Sequence, residues 1–522
     1  MPGLRDHDPI IIEDFNGWWS RGDPESAPSD HFIVADNVQY PHSGVETRDP
    51  LDKYQDQSVS IGKVLRFYDY VMQTGQSLIV LVEGGKIYHC IGASVVHGPI
   101  LTIPEMTDFG FVAYNGRAYI TPFKTYVNPQ GKNYELGIKN QFLYVYKGDG
   151  TPARKAAGPP PTGGALVVAH DASGLTDIGL HLIAVVYETD TGYLTALGPE
   201  VFGKLEFDGE HKIRVSNIPI GPAYVKKRHL VSSKAIPGTY NGDQKGYQLF
   251  FIPKGKIDNN TATDHVVEYF DADLLSDASH LVDNFTEIPS GVSLNTYHSR
   301  LVLVGEFGTD ETLKDLPTGV TDNRSLARVS FPGEPEAISK VDGLIIAPLD
   351  GNALTNCQEF RDVLYLFKMT RTLGYSDNND RPATWSEEIV DQGVGAPVHG
   401  IGAVLDSGGV NIDYLLIADW SGFMLFNGTY ARPELSWKIE NFWMSLARND
   451  FRYVQIANDS LSKKVWITLP PPYQHMMLHA DYGNGIDAKN IRWARWSFDV
   501  KLSTIAMIDT NKLVMGAIAS LT

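Results

Sequence analysis

The sequence is poor in features that mark most catalytic, secreted or membrane proteins. Its 522 residues include two cysteines, Cys90 and Cys357, with no CxxC pair and too few thiols for a disulfide framework. Buried free thiols, kept reduced while the chain folds, are the expectation. No run approaches the ~18 apolar residues that a membrane-spanning helix needs. The opening MPGLRDHDPIIIEDF has neither the basic stretch nor the long apolar segment of a signal peptide, so synthesis in the cytosol is expected. Positive charge is scarce: 44 Lys and Arg stand against 62 Asp and Glu, a formal charge of −18. A surface that grips phosphates needs Lys and Arg. This balance therefore argues against nucleic-acid binding and suits a surface that DNA passes without adhering. The GxxxxGK[ST] phosphate loop and the GxSxG nucleophile elbow are absent, and the fifteen histidines form no HExxH or HxH.

Amphipathic helices are nearly absent too; one short candidate is DLLSDASHLVD, residues 273–283. Glycine (49) and proline (30) are instead spread along the chain between short β-branched and aromatic runs, which is the pattern of strands joined by turns. The runs pair into hairpins. SLIVLVEGGKIYHCIG (77–92) turns at Gly84-Gly85, and DFGFVAYNGRAYITPF (108–123) turns at Asn115-Gly116, the strongest short hairpin signal. YHSRLVLVGEF (297–307) opens a third unit. Further hairpins turn near Thr370-Arg371, at Trp420-Ser421-Gly422 and at Asp459-Ser460, and STIAMIDTNKLVMGAI (503–518) repeats the shape at the end. Recurring hairpins of this kind are the trace of four-stranded sheets set radially, each burying both faces against its neighbours; a pair of sandwiches would also produce them. The reading taken is an all-β chain built as a β-propeller, with the terminal hairpin pairing with N-terminal strands.

One gap in the recurrence differs. It opens with the linker AAGPPPTGGA (156–165) and continues with GLHLIAVVYETDTGYLTALGPEV, in which His181, Ile183, Val185 and Tyr187 alternate with Leu182, Ala184, Val186 and Glu188. Strands at this spacing predict an inserted immunoglobulin- or fibronectin-III-like β-sandwich. Three regions result: 1–157, an N-terminal segment and the first blades; 158–273, the inserted sandwich; and 274–522, the remaining blades and the closure.

Candidate chemistry is thin. SDNNDRPATW (376–385) is near the SxDxGxxTW turn of sialidase-type propellers, but it lacks the glycine, carries an extra residue and occurs once; that turn is structural in any case. As an EF-hand loop it fails at Arg381, where an oxygen ligand is needed. Glu387, Glu388 and Asp391 offer carboxylates for glycoside hydrolysis, yet adjacent residues on a strand face opposite ways. His475 and His479 would share a face only on a helix, and Pro470-Pro471-Pro472 just before them argues for a loop. Lys226, Lys227, Arg228 and His229 form one basic cluster whose residues alternate faces. NIRWARWSFDV (490–500) interleaves Arg and Trp; stacking of bases is one use, but packing of one Trp inward under Arg stems is the expected one. The Arg21–Asp23 RGD tripeptide carries almost no weight. Catalytic, cofactor and metal residues are all expected to be absent.

FNGWWSRGDPESAPSDHFIVADNVQYPHSGVETRDPL (15–51) resembles the opening of tailed-bacteriophage tail nozzle proteins of the tail tubular protein B type, with Asn37, Gly44, Val45 and Arg48 carrying the match and Asp49-Pro50 where Pro-Gly is common. Further on, Ser330, Gly333, Pro335 and Glu336 fit the SxxGxPE part of an RxxxSxxGxPE run of that family, and Arg328 fits it approximately, standing two residues before Ser330 instead of four. Gly395, Ala396, Gly422, Phe426, Gly428, Ser436 and Ile439 fit its strand, loop and hairpin in order, and YETDTGYLTALGP is similar to its inserted sandwich. The resemblance implies a virion structural protein assembled in the host cytoplasm. It implies a homo-oligomeric ring, a hexamer, at the distal end of the tail. That ring would line the DNA channel, retain and pass the genome without sequence-specific contact, and anchor fibres or spikes beside tail adaptor proteins. No membrane span is implied. The rival reading is a receptor- or glycan-binding phage propeller, cleaving glycan in one version, which predicts an aromatic and acidic funnel at the propeller axis. A secreted lectin-like propeller is disfavoured by the missing disulfides.

Overall fold

The computed structural model describes residues 17–21, 24–28, 31–40, 45–48, 61–72, 75–92, 94–127, 133–198, 202–236, 247–307, 324–348, 350–406, 412–431, 435–508 and 512–520. The chain is all-β. Among the described residues the one α-helix is Glu440–Met444, and the other helical pieces are 3₁₀ turns. Six antiparallel sheets follow one another, each mainly a meander of four strands that begins at Val64, Asp108, Ser293, Leu354, Ile401 or Ile456. A two-stranded hairpin, Val500–Ile508 with Lys512–Ser520, ends the series.

Each sheet is apolar on both faces, because it is half of two cores. Ile79, Leu81 and Ile87 of the first sheet share a core with Phe109 and Ile120 of the second. Tyr119 and Val145 of the second join Leu301 and Leu303 of the third; Val302 and Val304 join Leu364 and Leu366 of the fourth. Phe367 joins Ile417 and Phe426 of the fifth, and Leu416 and Phe423 join Ile467 and Trp493 of the sixth. Met477 and Trp496 of the sixth pack on Leu502 and Ile505 of the hairpin. Ile508 and Val514 of the hairpin pack on Phe67, Leu78 and Val80 of the first sheet. The succession of cores thus returns to its start.

The closure differs from the expected strand pairing. The terminal hairpin is a separate two-stranded sheet that meets the first strand through side chains, as where Ser503 Oγ donates to Val64 O (2.6 Å). The N-terminal segment instead runs parallel beside the last strand of the sixth sheet, where Asn37 N donates to Arg495 O (2.6 Å) and Arg495 N to Ala35 O (2.9 Å). Trp18, Ala35 and Tyr40 enter the core between the fifth and sixth sheets. That edge would otherwise expose unpaired backbone groups.

Between the second and third sheets, seven strands form two further sheets around a private core that contains Ile183, Val185, Ile213, Val215 and Leu230. One sheet holds Val167–Ser173, His211–Ser216 and Asp264–Val267; the other holds Phe202–Phe207, Gly179–Thr189, Val225–Ser232 and Phe250–Ile257. This order, first–fourth–seventh over third–second–fifth–sixth, departs from the immunoglobulin arrangement, in which the first, second and fifth strands share a sheet. Gly179–Thr189 is buried on both faces: Ile183 and Val185 meet the opposite sheet, while Ala184 and Val186 meet Leu249, Ala278 and Leu281. A strand apolar on both sides belongs in the interior of its sheet, and its two edges are taken by the third and fifth strands. Residues 273–283 are not one helix. They carry the 3₁₀ turn Ser279–Asp283 and the end of another, with Ala278 and Leu281 turned onto this second core.

Candidate functional site

First strands of neighbouring sheets pack on one another, as Val64–Met72 does on Asp108–Tyr114 and Ser293–Tyr297 on Leu354–Phe360. Where they converge, a buried polar network replaces the apolar core. Arg66 grips Asp108 with two parallel bonds, Nε to Oδ1 and NH2 to Oδ2, both 3.0 Å. Its NH1 donates to Gln455 Oε1 (2.8 Å), which also accepts from Thr504 Oγ1 (2.9 Å). His399 Nε2 lies 3.0 Å from Asp108 Oδ2, and its Nδ1 lies 3.1 Å from the Tyr68 hydroxyl. Strands of the first and second sheets and of the terminal hairpin are thereby tied to His399 and Gln455, which stand just before the fifth and sixth sheets.

Charge in this network is balanced rather than available. Burial alone would raise the Asp108 pKa, but Arg66 and His399 outweigh it and hold the carboxyl far below its usual range. Burial and the Arg66 cation together hold His399 below its ordinary value, against the pull of Asp108. A fork-to-fork Arg–carboxylate pair is geometrically specific, and the cost of burying both charges offsets much of their mutual attraction.

Beside the network lies a cavity of about 250 Å³ lined by Tyr68, Phe111, Ser293, Asn356, His399 and Gln455 among others. Among the described residues, none that lines it is a carboxylate. Its polar side chains are engaged with the protein: Ser293 Oγ donates to Asn356 Oδ1 (3.3 Å), and Asn356 Nδ2 donates to Val398 O (2.7 Å). The cavity offers shape and hydrogen-bonding groups but no pair of acids for glycoside cleavage.

Of two further buried ion networks, the first joins elements distant in sequence and the second lies within the third sheet. Glu336 accepts from Arg154 (NH1–Oε2 3.0 Å, NH2–Oε1 3.2 Å) and from the Ala157 backbone N–H (2.6 Å). Arg154 also donates to Asp190 Oδ1 (2.8 Å), within the inserted unit. Arg328 donates to Glu306 (2.6 Å) and to the carbonyls of Lys340 (3.0 Å) and Asp342 (2.8 Å).

The residues singled out in the sequence do not gather into one site. Residues 376–385 form a turn in which Trp385 packs between Tyr297 and Arg300. Glu387 is bonded to the Tyr375 hydroxyl, and Asp391 accepts the Gly393 and Val394 N–H groups (2.6 and 2.9 Å). His475 ends a 3₁₀ turn, whereas His479 is buried in a strand, its ring stacked on Trp496. Lys227 and His229 both engage Glu188 (2.8 and 2.7 Å), and Arg228 is buried against the Pro219 and Asn259 carbonyls. Trp493 and Trp496 are both buried, on opposite faces of their strand, so neither offers a stacking platform. Gly22 and Asp23 of the RGD tripeptide, like Gly44, Asp49 and Pro50, lie outside the described residues.

Several other residues singled out in the sequence sit at structural joints. Asn37, in the left-handed region at φ 55°, accepts from Arg48 Nε (3.1 Å) and Ser497 N (2.8 Å), while Arg48 covers Phe498. Ser436 Oγ accepts from Phe423 N (3.0 Å). A Cβ at Gly395 would lie 1.9 Å from Lys368 O, so only glycine fits there. The central network went unseen in the sequence because Arg66, Asp108, His399 and Gln455 are separated by up to 389 residues; its one local signal is a charged residue within an apolar strand, as in VLRFY.

No protein-family model matches the chain, and no curated protein matches it. Among solved structures it is similar to BBS1N from a mercury-soaked complex with ARL6DN (8% identity, 80% of this chain and 93% of that one, TM-score 0.27). It is also similar to Hsv2 of Kluyveromyces lactis (11%, 83% and 98%, TM-score 0.28) and to the extracellular domain of the putative hybrid two component system BT3049 of B. thetaiotaomicron (8%, 92% and 70%, TM-score 0.25). At these scores the likenesses carry no argument about fold or activity. Among the described residues no helix is long and apolar enough to cross a membrane.

Proposed function

We propose that the chain is a non-catalytic structural subunit of a bacteriophage tail, a nozzle protein whose copies assemble as a ring, a hexamer, at the distal tail of the virion. Its body is read as a β-propeller of six sheets and a closing hairpin, with residues 158–273 inserted as a β-sandwich. The cyclic succession of shared cores supports the propeller reading. The observation that carries the functional reading is the position of Glu336. This residue of the nozzle-like SxxGxPE run is buried at the joint between the second sheet, the third sheet and the inserted unit. Family-typical residues serve assembly of the subunit rather than chemistry. The formal charge of −18 suits a channel wall that repels phosphate and lets DNA slide. Tail adaptors and fibres or spikes are the protein partners of this reading.

Electron microscopy tests it. Virions labelled on this protein are expected to carry the label at the distal tail, and the purified chain, alone or with tail adaptor proteins, to form six-fold rings. A monomer under all of these conditions refutes the ring. Cleavage of host polysaccharide by the purified chain would favour the glycan-processing reading instead.

A further inference from the structure

We propose that His170, Asp208 and His211 form a binding site for a divalent transition-metal ion of the zinc class on the inserted unit. Asp208 and His211 lie three residues apart and His170 lies on another strand, and backbone geometry brings them together. His170 lies on the edge strand Val167–Ser173, where it pairs with Ile213, whereas Ser173 pairs with His211. One extra residue therefore bulges from the edge strand between these pairs, and bulges bend a strand and re-aim its side chains. His211 begins the partner strand, immediately after the turn that carries Asp208.

Two of the donors also have anchors outside the group. The His170 ring rests on buried Phe207, 5.3 Å between centroids, and meets the His211 ring edge-on at 5.1 Å. Asp208 Oδ1 accepts the Glu210 backbone N–H (3.0 Å), which orients the carboxylate. His211 Nδ1 lies 3.1 Å from both Asp208 oxygens, His170 Nδ1 lies 3.9 Å from Oδ1, and one ligand atom from each residue falls within 4.8 Å of the other two.

Bonds of about 2.0–2.1 Å around a tetrahedral ion put its donors roughly 3.3 Å apart, so small rotations of two partly exposed rings close the site. Two imidazoles and one carboxylate suit zinc, cobalt or nickel, whereas calcium and magnesium favour oxygen ligands. The solvent-facing side leaves a fourth position for water. A second group, His298, Glu359 and Asp362, also falls within 4.8 Å. There Asp362 is 94% exposed and stands 3.8 Å from His298, so it makes the natural control.

Equilibrium dialysis of the full chain against zinc sulfate, near neutral pH, tests the site. The expected result is one zinc per chain that His170→Ala and His211→Ala each weaken at least tenfold and His298→Ala leaves unchanged; calcium chloride should not compete. Cobalt in place of zinc should give the intense visible absorption of a tetrahedral site, lost in the Asp208→Asn variant. Surface pairs of this kind add little to stability, so circular dichroism should show every variant folded, and His211→Gln repeats the test if the alanine variant is not. No zinc uptake by the wild-type chain, or uptake unchanged in the His170→Ala/His211→Ala double variant, overturns the proposal.

Discussion

His479 is a buried imidazole that the fold accommodates only uncharged, and replacing it should change how stability depends on pH. It is fully buried between Trp466 and Trp496, and neither ring nitrogen has a hydrogen-bond partner among the described residues. Burial, followed by the cations of Lys464 and Arg492, pushes its pKa down from 6.5 to about 3. Below pH 6.5 the unfolded chain takes up a proton that the folded chain refuses. Stability is therefore fully present above that pH and falls on acidification by about 1.4 kcal/mol per pH unit. From pH 6.5 to about pH 4.5 the loss from this residue alone is roughly 2.5 kcal/mol. His89, lowered to about 4 mainly by burial and secondarily by His97, adds a slope of its own in every variant. His479→Phe keeps an aromatic ring between the two indoles and removes two unsatisfied polar atoms, whose burial costs about 1–3 kcal/mol. Urea unfolding of wild type and variant from about pH 7.5 to 4.5 should show the variant at least as stable at neutral pH and ahead by a widening margin on acidification. Parallel pH profiles would refute the assignment of an uncharged, partnerless His479.

Other consequences can be checked with the same assay. Arg66→Ala strands Asp108 in the interior and should cost roughly 3–5 kcal/mol, while Arg66→Leu with Asp108→Leu should recover most of it; a single variant as stable as wild type would show that the central network bears no load. Gly395→Ala drives a Cβ into the Lys368 carbonyl at 1.9 Å and should cost about 3 kcal/mol or more. Gly84→Asn, at φ 83° with open space around it, should stay within about 1 kcal/mol of wild type. Glu336→Gln should lower the proteolytic resistance of the linker near Ala157, because the carboxylate holds the Ala157 N–H and Arg154 together; an unchanged cleavage pattern argues against that tether.

Local signals were readable in the sequence, and long-range ones were not. Asn115-Gly116 announced a two-residue hairpin turn, and both residues do adopt positive φ, 49° and 71°. His298-Ser299 and Arg361-Asp362 make the same kind of turn, with φ between 43° and 63°, from residues that give no such signal, because the flanking pairing dictates it. The turn expected near Thr370-Arg371 falls one residue earlier, since Lys368 pairs with Arg371. The loop at Asp459-Ser460 runs longer than read, since Asp459 pairs with Lys464. The apolar residues of 273–283 suggested a helix, but tertiary packing on Ala184 and Val186 uses only Ala278 and Leu281 and is met by short turns. The inserted unit was legible as a series of strands, yet their order was not, because alternation reports faces and not neighbours. The His170–Asp208–His211 group depends on a bulge that no residue type advertises.

The chain leaves the second sheet and re-enters the third through one doorway. Ala157 on the way out bonds to Glu336, and Phe285 on the way back donates to Ile338 O (3.0 Å), two residues further along the same strand. Everything between these points that packs around Ile183 and Val215 has a core of its own, whereas every sheet outside them supplies half of two cores. The molecule thus combines a part with a core of its own, tied to the body through Tyr193 and Asp190, with a remainder whose six sheets each share two cores. Grafting a different small domain between residues 158 and 284 should alter what the subunit presents to its surroundings and, by taking Tyr193 from the core of the second and third sheets, lower stability without changing the order of the remaining sheets. Removing any single sheet should leave nothing that folds.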